Sequence, residues 1–332
     1  MSGATLGGRI RPARGRFAPS TTGGVHPGTL LAGLLCWLDA RSRGAEVWLR
    51  LEDLDRERTR EGYVEAMRRD LAWFGLEWDA ESLQSSHHDR HEAALEALVA
   101  AGRVYACDCS RATIRQEGVR APDGSFRYPG TCRAQVVQPS SWRTTDRPLR
   151  LRLESAFVPL LDESGLDLSG DAAALFGDPI LRRRDGAFAY HFASVVDDAA
   201  SGVGRVVRGR DLAPSTILQV ALQRALSLPT PTYRHHGLFL ERDGEKLSKL
   251  HGAVDVATLR RHYAAEALCG LLAGFVGLLP AGEACRPADL VAGFDWARVS
   301  SVDVELHWDE GQGLRAAATS DRDRSRPPAG AC

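Results

Sequence analysis

Hydrophobic and polar positions change their period several times along the first hundred residues. Short apolar segments at 16–19 and 46–51 predict buried strands. After them, apolar residues recur at helical spacing, and each such segment stops at a glycine, the residue that favours a helix C-terminus. The predicted helices span 29–43, 61–74 and 89–101. The strand–helix alternation predicts an α/β fold with a doubly wound parallel sheet.

The alternation stops at residue 103 and returns at 149–153. The intervening segment is rich in cysteine, glycine and proline and has almost no periodicity, so we predict an insert. Further core elements are predicted at 188–196 and 205–207, with a helix at 215–226, a strand at 238–240 and continuous helix over 256–279. The predicted organisation is a disordered arm (1–14), the first half of the catalytic domain (15–102), the insert (103–148), the second half (149–253), a small helical subdomain (254–318) and a disordered tail (319–332).

Composition indicates a globular protein and excludes two other classes. Of the 332 residues, 44% are hydrophobic and 26% are charged, which excludes disorder as the main state. The longest apolar run, at 268–279, falls short of the roughly 18 to 20 residues that span a bilayer, so we expect no membrane association. No signal peptide is recognisable, and seven cysteines are too few and odd in number for a disulfide scaffold. We therefore expect a reduced, cytoplasmic protein.

Lysine is confined to one short segment. Of 42 basic residues only Lys246 and Lys249 are lysines, and the rest are arginines. Codon usage that replaces lysine by arginine would explain the excess of arginine. The position of both remaining lysines in one segment favours a site where a compact ammonium meets a phosphate.

The first predicted strand leads into a turn-rich loop that contains His26 and Gly28, and a helix follows at once. Free N–H groups at a helix N-terminus bind phosphate, and parallel sheets bind ligands beyond the carboxyl ends of their strands. A histidine there can donate to a phosphate oxygen, and a glycine lets a flat base approach the backbone. Taken alone, His26 is more typical of an ordinary loop histidine than of a nucleotide-binding one.

Together, the His26 loop and the lysine segment resemble the "HIGH" and "KMSKS" signatures of class I aminoacyl-tRNA synthetases. The resemblance implies a class I synthetase-type Rossmann domain that activates an amino acid with ATP. In such enzymes a carboxylate attacks the α-phosphate and pyrophosphate leaves, so the protein positions reactants and neutralises charge. The implied catalytic and ATP-binding residues are His26, Gly28, Thr29, Lys246, Ser248 and Lys249. Magnesium is expected with the ATP.

Four further segments resemble the glutamate-specific subgroup of these synthetases. They are 15–20, 50–55, 190–198 and 207–212. The resemblance implies a glutamate site made of Arg16, Phe17, Ala18, Pro19, Ser20, Glu52, Tyr190 and Arg208. Arg16 or Arg208 can pair bidentately with a γ-carboxylate, and Glu52 can pair with an ammonium. Tyr190 could instead be a core residue, and Asp197-Asp198 a helix cap or solvated turn.

Three cysteines in the insert have the spacing of a structural metal site. Cys107, Cys109 and Cys132 lie within 26 residues of irregular sequence, which favours a zinc knuckle over free thiols. A tetrahedral site needs a fourth ligand. The resemblance to glutamyl synthetases and their paralogues implies that this ligand is Tyr128.

The chain has only 83 residues after Lys249, too few for the two helical bundles that read an anticodon in a full glutamyl-tRNA synthetase. With its insert, this shortened architecture resembles the glutamyl-Q tRNA(Asp) synthetase family. The resemblance implies activation of L-glutamate without tRNA, followed by its transfer to the queuosine base at the wobble position of tRNA(Asp). We expect a monomer. Two alternatives remain: a shortened conventional synthetase that charges the tRNA 3′ end, and an inactive RNA- or zinc-binding module.

Overall fold

The computed structural model describes residues 13–55, 57–241, 255–309 and 311–317. The helices are α1 (Pro27–Ser42), α2 (Glu61–Trp73), α3 (His88–Ala100), α4 (Arg111–Glu117), α5 (Ala172–Phe176), α6 (Tyr190–Ala200), α7 (Thr216–Ala225), α8 (Val256–His262), α9 (Ala265–Phe275) and α10 (Pro287–Leu290). The strands are β1 (Gly15–Phe17), β2 (Val47–Leu51), β3 (Ala80–Leu83), β4 (Val104–Ala106), β5 (Leu149–Leu151), β6 (Phe157–Val158), β7 (Gly170–Asp171), β8 (Ile180–Arg182), β9 (Arg205–Gly209), β10 (Thr232–His236), β11 (Phe239–Leu240), β12 (Val304–Asp309) and β13 (Gly313–Ala316).

Five parallel strands form the central sheet in the order β3-β2-β1-β9-β10. β2 pairs with β1 and β3, and β9 pairs with β10. A parallel bridge between Arg14 and Val203 brings β9 beside β1, and the N–H of Gly204 donates to the Arg14 carbonyl at 3.1 Å. The direction of winding reverses between β1 and β9, which is where such sheets open a ligand crevice. The predicted doubly wound parallel sheet is confirmed.

Helices cover both faces of this sheet, and each face has its own apolar core. On one face, leucines of α1 pack with alternate residues of β1 and β2, with α2 and with α9. On the other face, α3, α6 and α7 pack together with β4 and β5. Because side chains alternate along a strand, Phe17, Leu49 and Val207 enter the first core. Their neighbours lie on the opposite face, where Arg16 and Arg50 contact α6 and Arg208 contacts α7.

The crossover between α3 and α6 forms a separate small layer. β4, β5 and β8 make an antiparallel sheet, and β6 pairs with β7 in an antiparallel ribbon. The predicted insert ends at residue 148, which assigns Leu149–Leu151 to the catalytic domain. In the structure this strand pairs with β4 and β8. The alternation of Leu149 and Leu151 identifies a strand without identifying its partner.

The segment after residue 255 packs on α1 and differs from its prediction. Helix is predicted continuously over 256–279, but Tyr263 and Ala264 have extended backbone and separate α8 from α9. The Tyr263 hydroxyl accepts a hydrogen bond from the N–H of Leu314 at 2.7 Å, which fixes the break. The antiparallel pair β12–β13, joined to β11, is also absent from the prediction. Among the described residues, no helix has the length and apolar character needed to cross a membrane.

The two predicted terminal segments lie almost wholly outside the described residues, as does the lysine segment with Lys246, Ser248 and Lys249. The exception is the end of the predicted arm. Arg14 is ordered there, since it bridges to Val203 and its guanidinium pairs with the Glu46 carboxylate at 2.6 Å.

Candidate active site

One cavity of about 850 Å³ opens at the carboxyl ends of β1, β2, β9 and β10. Every described residue predicted for glutamate or ATP lines it. These residues are Arg16, Phe17, Ala18, Pro19, Ser20, His26, Gly28, Thr29, Glu52, Tyr190 and Arg208. Residues from five separate parts of the chain therefore meet in one cavity.

The loop that follows β1 is held against the end of β2. The N–H of Glu52 donates to the Pro19 carbonyl at 3.0 Å, and the N–H and hydroxyl of Thr21 donate to the Glu52 carbonyl, both at 3.1 Å. Ser20 and Glu52 form a parallel bridge. This extension of the sheet fixes the Ser20 and Glu52 side chains at one edge of the cavity.

The predicted nucleotide loop ends on the first turn of α1. His26 is the N-terminal capping residue, with extended backbone, and Pro27 occupies the first helical position, where its fixed φ suits a helix start. A Cβ at residue 28 would lie only 3.1 to 3.2 Å from the His26 ring. Glycine at this position therefore leaves room for the imidazole at the start of α1.

Buried charges connect the sheet to α6. The Asp198 carboxylate accepts from Arg50 Nη1 at 2.6 Å and from Arg16 Nε at 3.2 Å. Arg50 Nη2 also donates to Glu52 at 3.2 Å and to the Ser194 hydroxyl at 3.1 Å. Asp198 thus holds two arginines of adjacent strands in place.

Burial and neighbouring charges shift the pKa values of the acidic and phenolic groups at the cavity. Burial raises the pKa of Glu52, opposed by Arg50 and Arg16, so its carboxylate would gain from a cationic partner such as an ammonium. Burial and the nearby Glu52 raise the pKa of Tyr190 to about 12, which keeps its phenol protonated as a donor. For Asp198, burial is outweighed by Arg16 and Arg50, and the pKa is lowered.

Arg208 has a different set of partners from Arg16 and Arg50. Its guanidinium donates to His235 Nε2 at 3.1 Å, to Gln219 Oε1 at 2.7 Å and to the Thr216 hydroxyl at 2.8 Å. Its hydrogen-bond partners among the described residues carry no carboxylate. This side chain is only 6% exposed, so a buried positive charge borders the cavity without a hydrogen-bonded anion.

Several residues at this site have no sequence signal of their own, and the sequence leaves the role of Asp198 open. Arg50, Ser194 and His235 were not predicted, and Asp198 was considered as a cap or a solvated residue. Asp197 is also buried, and it accepts from His91 and Gln84 at 2.9 Å each. Two carboxylates that directly follow the apolar run 192–196 of a helix would have indicated buried acids that need arginine partners.

The cysteine cluster lies apart from this cavity, in the insert. The Cys107, Cys109 and Cys132 sulfurs lie within 4.8 Å of one another. Tyr128 Oη is 3.4 Å from the Cys107 sulfur and 3.7 Å from the Cys109 sulfur, and it accepts the Cys132 N–H at 2.8 Å. Four donor atoms therefore surround one small volume.

The donor set fits a tetrahedral zinc ion. Zinc–thiolate bonds of about 2.3 Å place two sulfurs about 3.8 Å apart, and the Cys109 and Cys132 sulfurs are 3.6 Å apart. Burial and the adjacent Cys107 raise the pKa of Tyr128, so a phenolate ligand there needs the charge of a metal.

The strand order and the position of the cavity define a nucleotide-binding domain of the Rossmann type. The chain belongs to the family described as tRNA synthetases class I (E and Q), catalytic domain, whose model matches residues 12–275.

Two curated relatives match most of the chain. A protein of Nocardia farcinica is 42% identical over 301 residues, which cover 89% of this chain and 92% of the relative. A protein of Symbiobacterium thermophilum is 39% identical over 312 residues, which cover 88% of this chain and 95% of the relative. Both relatives are named glutamyl-Q tRNA(Asp) synthetase.

Solved structures share the fold. A glutamate-tRNA synthetase from Elizabethkingia anophelis superimposes with a TM-score of 0.73 at 25% identity, over 89% of this chain and 68% of that one. A glutamate tRNA ligase from Elizabethkingia meningosepticum, in complex with its amino acid, gives the same TM-score at 24% identity, over 88% of this chain and 66% of that one. The chain thus spans most of its curated relatives and about two thirds of these solved synthetases.

Proposed function

We propose that this protein activates L-glutamate with ATP without tRNA and then transfers the glutamyl group to the queuosine base at the wobble position of tRNA(Asp). The observation that carries the proposal is the single cavity lined by all the described residues predicted for glutamate and ATP. The names and high coverage of the two relatives support the choice of tRNA.

The charges around the cavity suit glutamate. In the proposed binding mode, Arg208 takes the γ-carboxylate, since its hydrogen-bond partners are neutral, whereas Arg16 already donates to Asp198. Glu52 takes the α-ammonium, and the protonated Tyr190 phenol donates a hydrogen bond.

The reaction joins the two substrates in this cavity. An α-carboxylate oxygen of glutamate attacks the α-phosphorus of ATP, and the bond to pyrophosphate breaks. His26 and the positive end of the α1 dipole serve the α-phosphate, with Gly28 and Thr29 beside them. For Lys246, Ser248 and Lys249 we propose contact with the leaving pyrophosphate, and for Mg²⁺ its usual place on ATP.

Zinc is the proposed metal of the insert, with Cys107, Cys109, Tyr128 and Cys132 as ligands. It supplies no chemistry to the reaction. When bound, it holds together a segment with few apolar residues, so its role is structural. We also propose that the protein acts as a monomer in the cytoplasm.

Labelled glutamate tests the proposed acceptor. We expect ATP-dependent labelling of queuosine-bearing tRNA(Asp), and none of unmodified tRNA(Asp) or tRNA(Glu). Labelling should persist after the 3′-terminal adenosine of the tRNA is removed, because the acceptor is a base in the anticodon loop.

A shortened conventional synthetase is the second candidate, favoured by the fold shared with glutamate-tRNA synthetases. Labelling that requires the 3′-terminal adenosine, or that appears on tRNA(Glu), would establish this alternative and refute the first. Glutamate-dependent exchange between ATP and pyrophosphate distinguishes both from an inactive binding module.

A further inference from the structure

The turn between β6 and β7 lies outside the parallel sheet but packs against β10, beside Arg208 of the candidate active site. Its Asp162 is 4% exposed and accepts five hydrogen bonds at 2.7 to 3.0 Å. The donors are the N–H and hydroxyl of Ser164, the N–H of Leu166, and the N–H and ring Nδ1 of His235. The turn therefore fixes the carboxylate against β10.

His235 connects this carboxylate to the cavity. It lies directly opposite Arg208 in the parallel pair β9–β10. Its Nδ1 lies 2.8 Å from Asp162, and its Nε2 accepts from Arg208 Nε at 3.1 Å. A ring that accepts at Nε2 and donates at Nδ1 is the neutral tautomer with its proton on Nδ1. The Asp162 carboxylate selects that tautomer.

The charges around His235 are consistent with a neutral ring. Burial and the Arg208 guanidinium lower the pKa of His235, while Asp162 and Asp211 raise it, and the net direction is downward. The Tyr233 ring stacks parallel to it at 6.3 Å between centroids. The Nε2 lone pair is therefore free to accept from Arg208 at neutral pH.

Arg208 depends on this contact for its orientation. Its guanidinium is planar, so hydrogen bonds at Nε, Nη1 and Nη2 together fix both its position and its rotation. His235 holds the Nε edge, while Gln219 and Thr216 hold the two Nη atoms. A second bond from Nη2 reaches the Leu212 carbonyl at 3.3 Å, so the described contacts use four of the five N–H groups. The second N–H of Nη1 is left to point into the cavity towards a substrate carboxylate.

We propose that Asp162 and His235 are positioning residues that hold Arg208 in the orientation that binds the side-chain carboxylate of the amino-acid substrate. This inference rests on the proposed glutamate activation. The pair sets the preference for an acidic side chain, and it does so from a turn that contributes no residue to the lining of the cavity.

Steady-state ATP–pyrophosphate exchange on the full-length protein tests the proposal. His235→Phe removes the acceptor and Asp162→Ala removes the group that selects the tautomer. Each should raise the KM for glutamate at least tenfold and reduce the preference for glutamate over glutamine, with the KM for ATP within twofold of the parent value. Two conservative variants should restore part of the function. His235→Gln restores an acceptor near the Nε2 position, and Asp162→Asn still accepts from Nδ1. Each should have a KM for glutamate at least threefold lower than that of His235→Phe or Asp162→Ala, respectively.

Glu163→Gln is the matched control. Glu163 lies on the same turn and pairs with Arg205 and with Arg234, whose Nε is 3.6 Å from its carboxylate, but the described contacts do not join it to His235. We expect its KM for glutamate to stay within twofold of the parent.

The possible results test the proposed glutamate activation and the positioning role of Asp162 and His235 separately. A parent protein without glutamate-dependent exchange refutes the proposed function and, with it, this inference. If the parent is active, an unchanged KM for glutamate in His235→Phe overturns the inference alone. Equal losses for glutamate and ATP, or unfolding of all four variants by circular dichroism, would show that the pair is merely structural and would also overturn it.

Discussion

Three arginines on adjacent strands share one face of the sheet but have different electrostatic surroundings. Arg16 and Arg50 share the Asp198 carboxylate, so their charges are balanced within the protein. Arg208 has neutral hydrogen-bond partners, and burial lowers its pKa. A buried guanidinium without a paired anion is unfavourable until an anionic ligand arrives. Under the proposed function, we expect the binding free energy of an acidic substrate to depend most on Arg208.

His191 should make the stability of the protein depend on pH. Burial and the adjacent Arg208 lower the pKa of His191 to about 4, from an ordinary value of 6.5. Between these values the unfolded chain binds a proton that the folded chain does not, so stability falls as the pH is lowered from about 6.5 to about 4. Urea unfolding at pH 7.5 and pH 5 should show a smaller loss for His191→Asn than for the parent.

The exposed His88 supplies the control for this measurement. Its side chain is 53% exposed, and His88→Asn should leave the loss between pH 7.5 and pH 5 as in the parent. Equal losses in the parent and in His191→Asn would contradict the assignment of this proton to His191.

At the scale of residues, the sequence predicts the groups that the substrate needs and misses those that support them. Arg16, Glu52 and Arg208 follow from chemistry and motif. His235 and Asp162 do not, because their roles depend on which strand lies beside β9 and on where a remote turn packs. Such pairings are long-range and leave no local pattern.

At the scale of elements, two polar strands of the central sheet are missed by the pattern. β10 has three charged or imidazole side chains among its five residues, Thr232–His236, and therefore gives no apolar alternation. β3, Ala80–Leu83, lies at the edge of the sheet and has no fully buried residue. The apolar β2 and α1, by contrast, are predicted within a few residues of their observed bounds.

The insert should depend on its metal. Cys109→Ser should lower bound zinc from about one per chain to less than about 0.2, since a tetrahedral structural site loses one of its four ligands. Amide hydrogen exchange should then rise across 103–135 and stay unchanged in α1. Metal analysis and exchange mass spectrometry check both results.

Cys285→Ser is the control for the metal site. The Sγ atom of this half-buried cysteine lies 3.8 Å from Cys269 Sγ, and the residue is outside the cysteine cluster. The zinc content of the Cys285→Ser variant should therefore equal that of the parent. Parent protein purified without chelators and free of zinc would refute the metal assignment.

At the scale of the whole molecule, one carboxylate joins the C-terminal segment to the sheet. Asp39 of α1 is 3% exposed and accepts from Arg205 of β9 at 2.8 and 3.0 Å and from Trp296 Nε1 at 2.7 Å. It also pairs with Arg43 at 2.8 Å. The C-terminal segment therefore contacts the central sheet indirectly, through Asp39 of α1.

Removal of this carboxylate should be costly. Asp39→Ala leaves Arg205 with Glu163 as its remaining carboxylate partner and removes the acceptor of Trp296 Nε1, and loss of hydrogen bonds to a buried charged group costs about 2 kcal/mol. Urea unfolding should show that loss, whereas Glu65→Ala, which breaks an exposed pair with Arg68, should cost less than about 1 kcal/mol. Similar losses in both variants would contradict the role given to Asp39.

Helix α1, which begins at the nucleotide loop, is buried on almost all sides. Every residue from Leu30 to Ala40 except Ala32 is buried, because the sheet lies on one side of α1 and the C-terminal segment on the other. A helix with solvent on one side can accept neutral substitutions there, but this one offers almost no such position. Mutational tolerance along α1 should accordingly be low throughout, even where a side chain is far from any ligand, and sequence drift in this protein should be concentrated elsewhere.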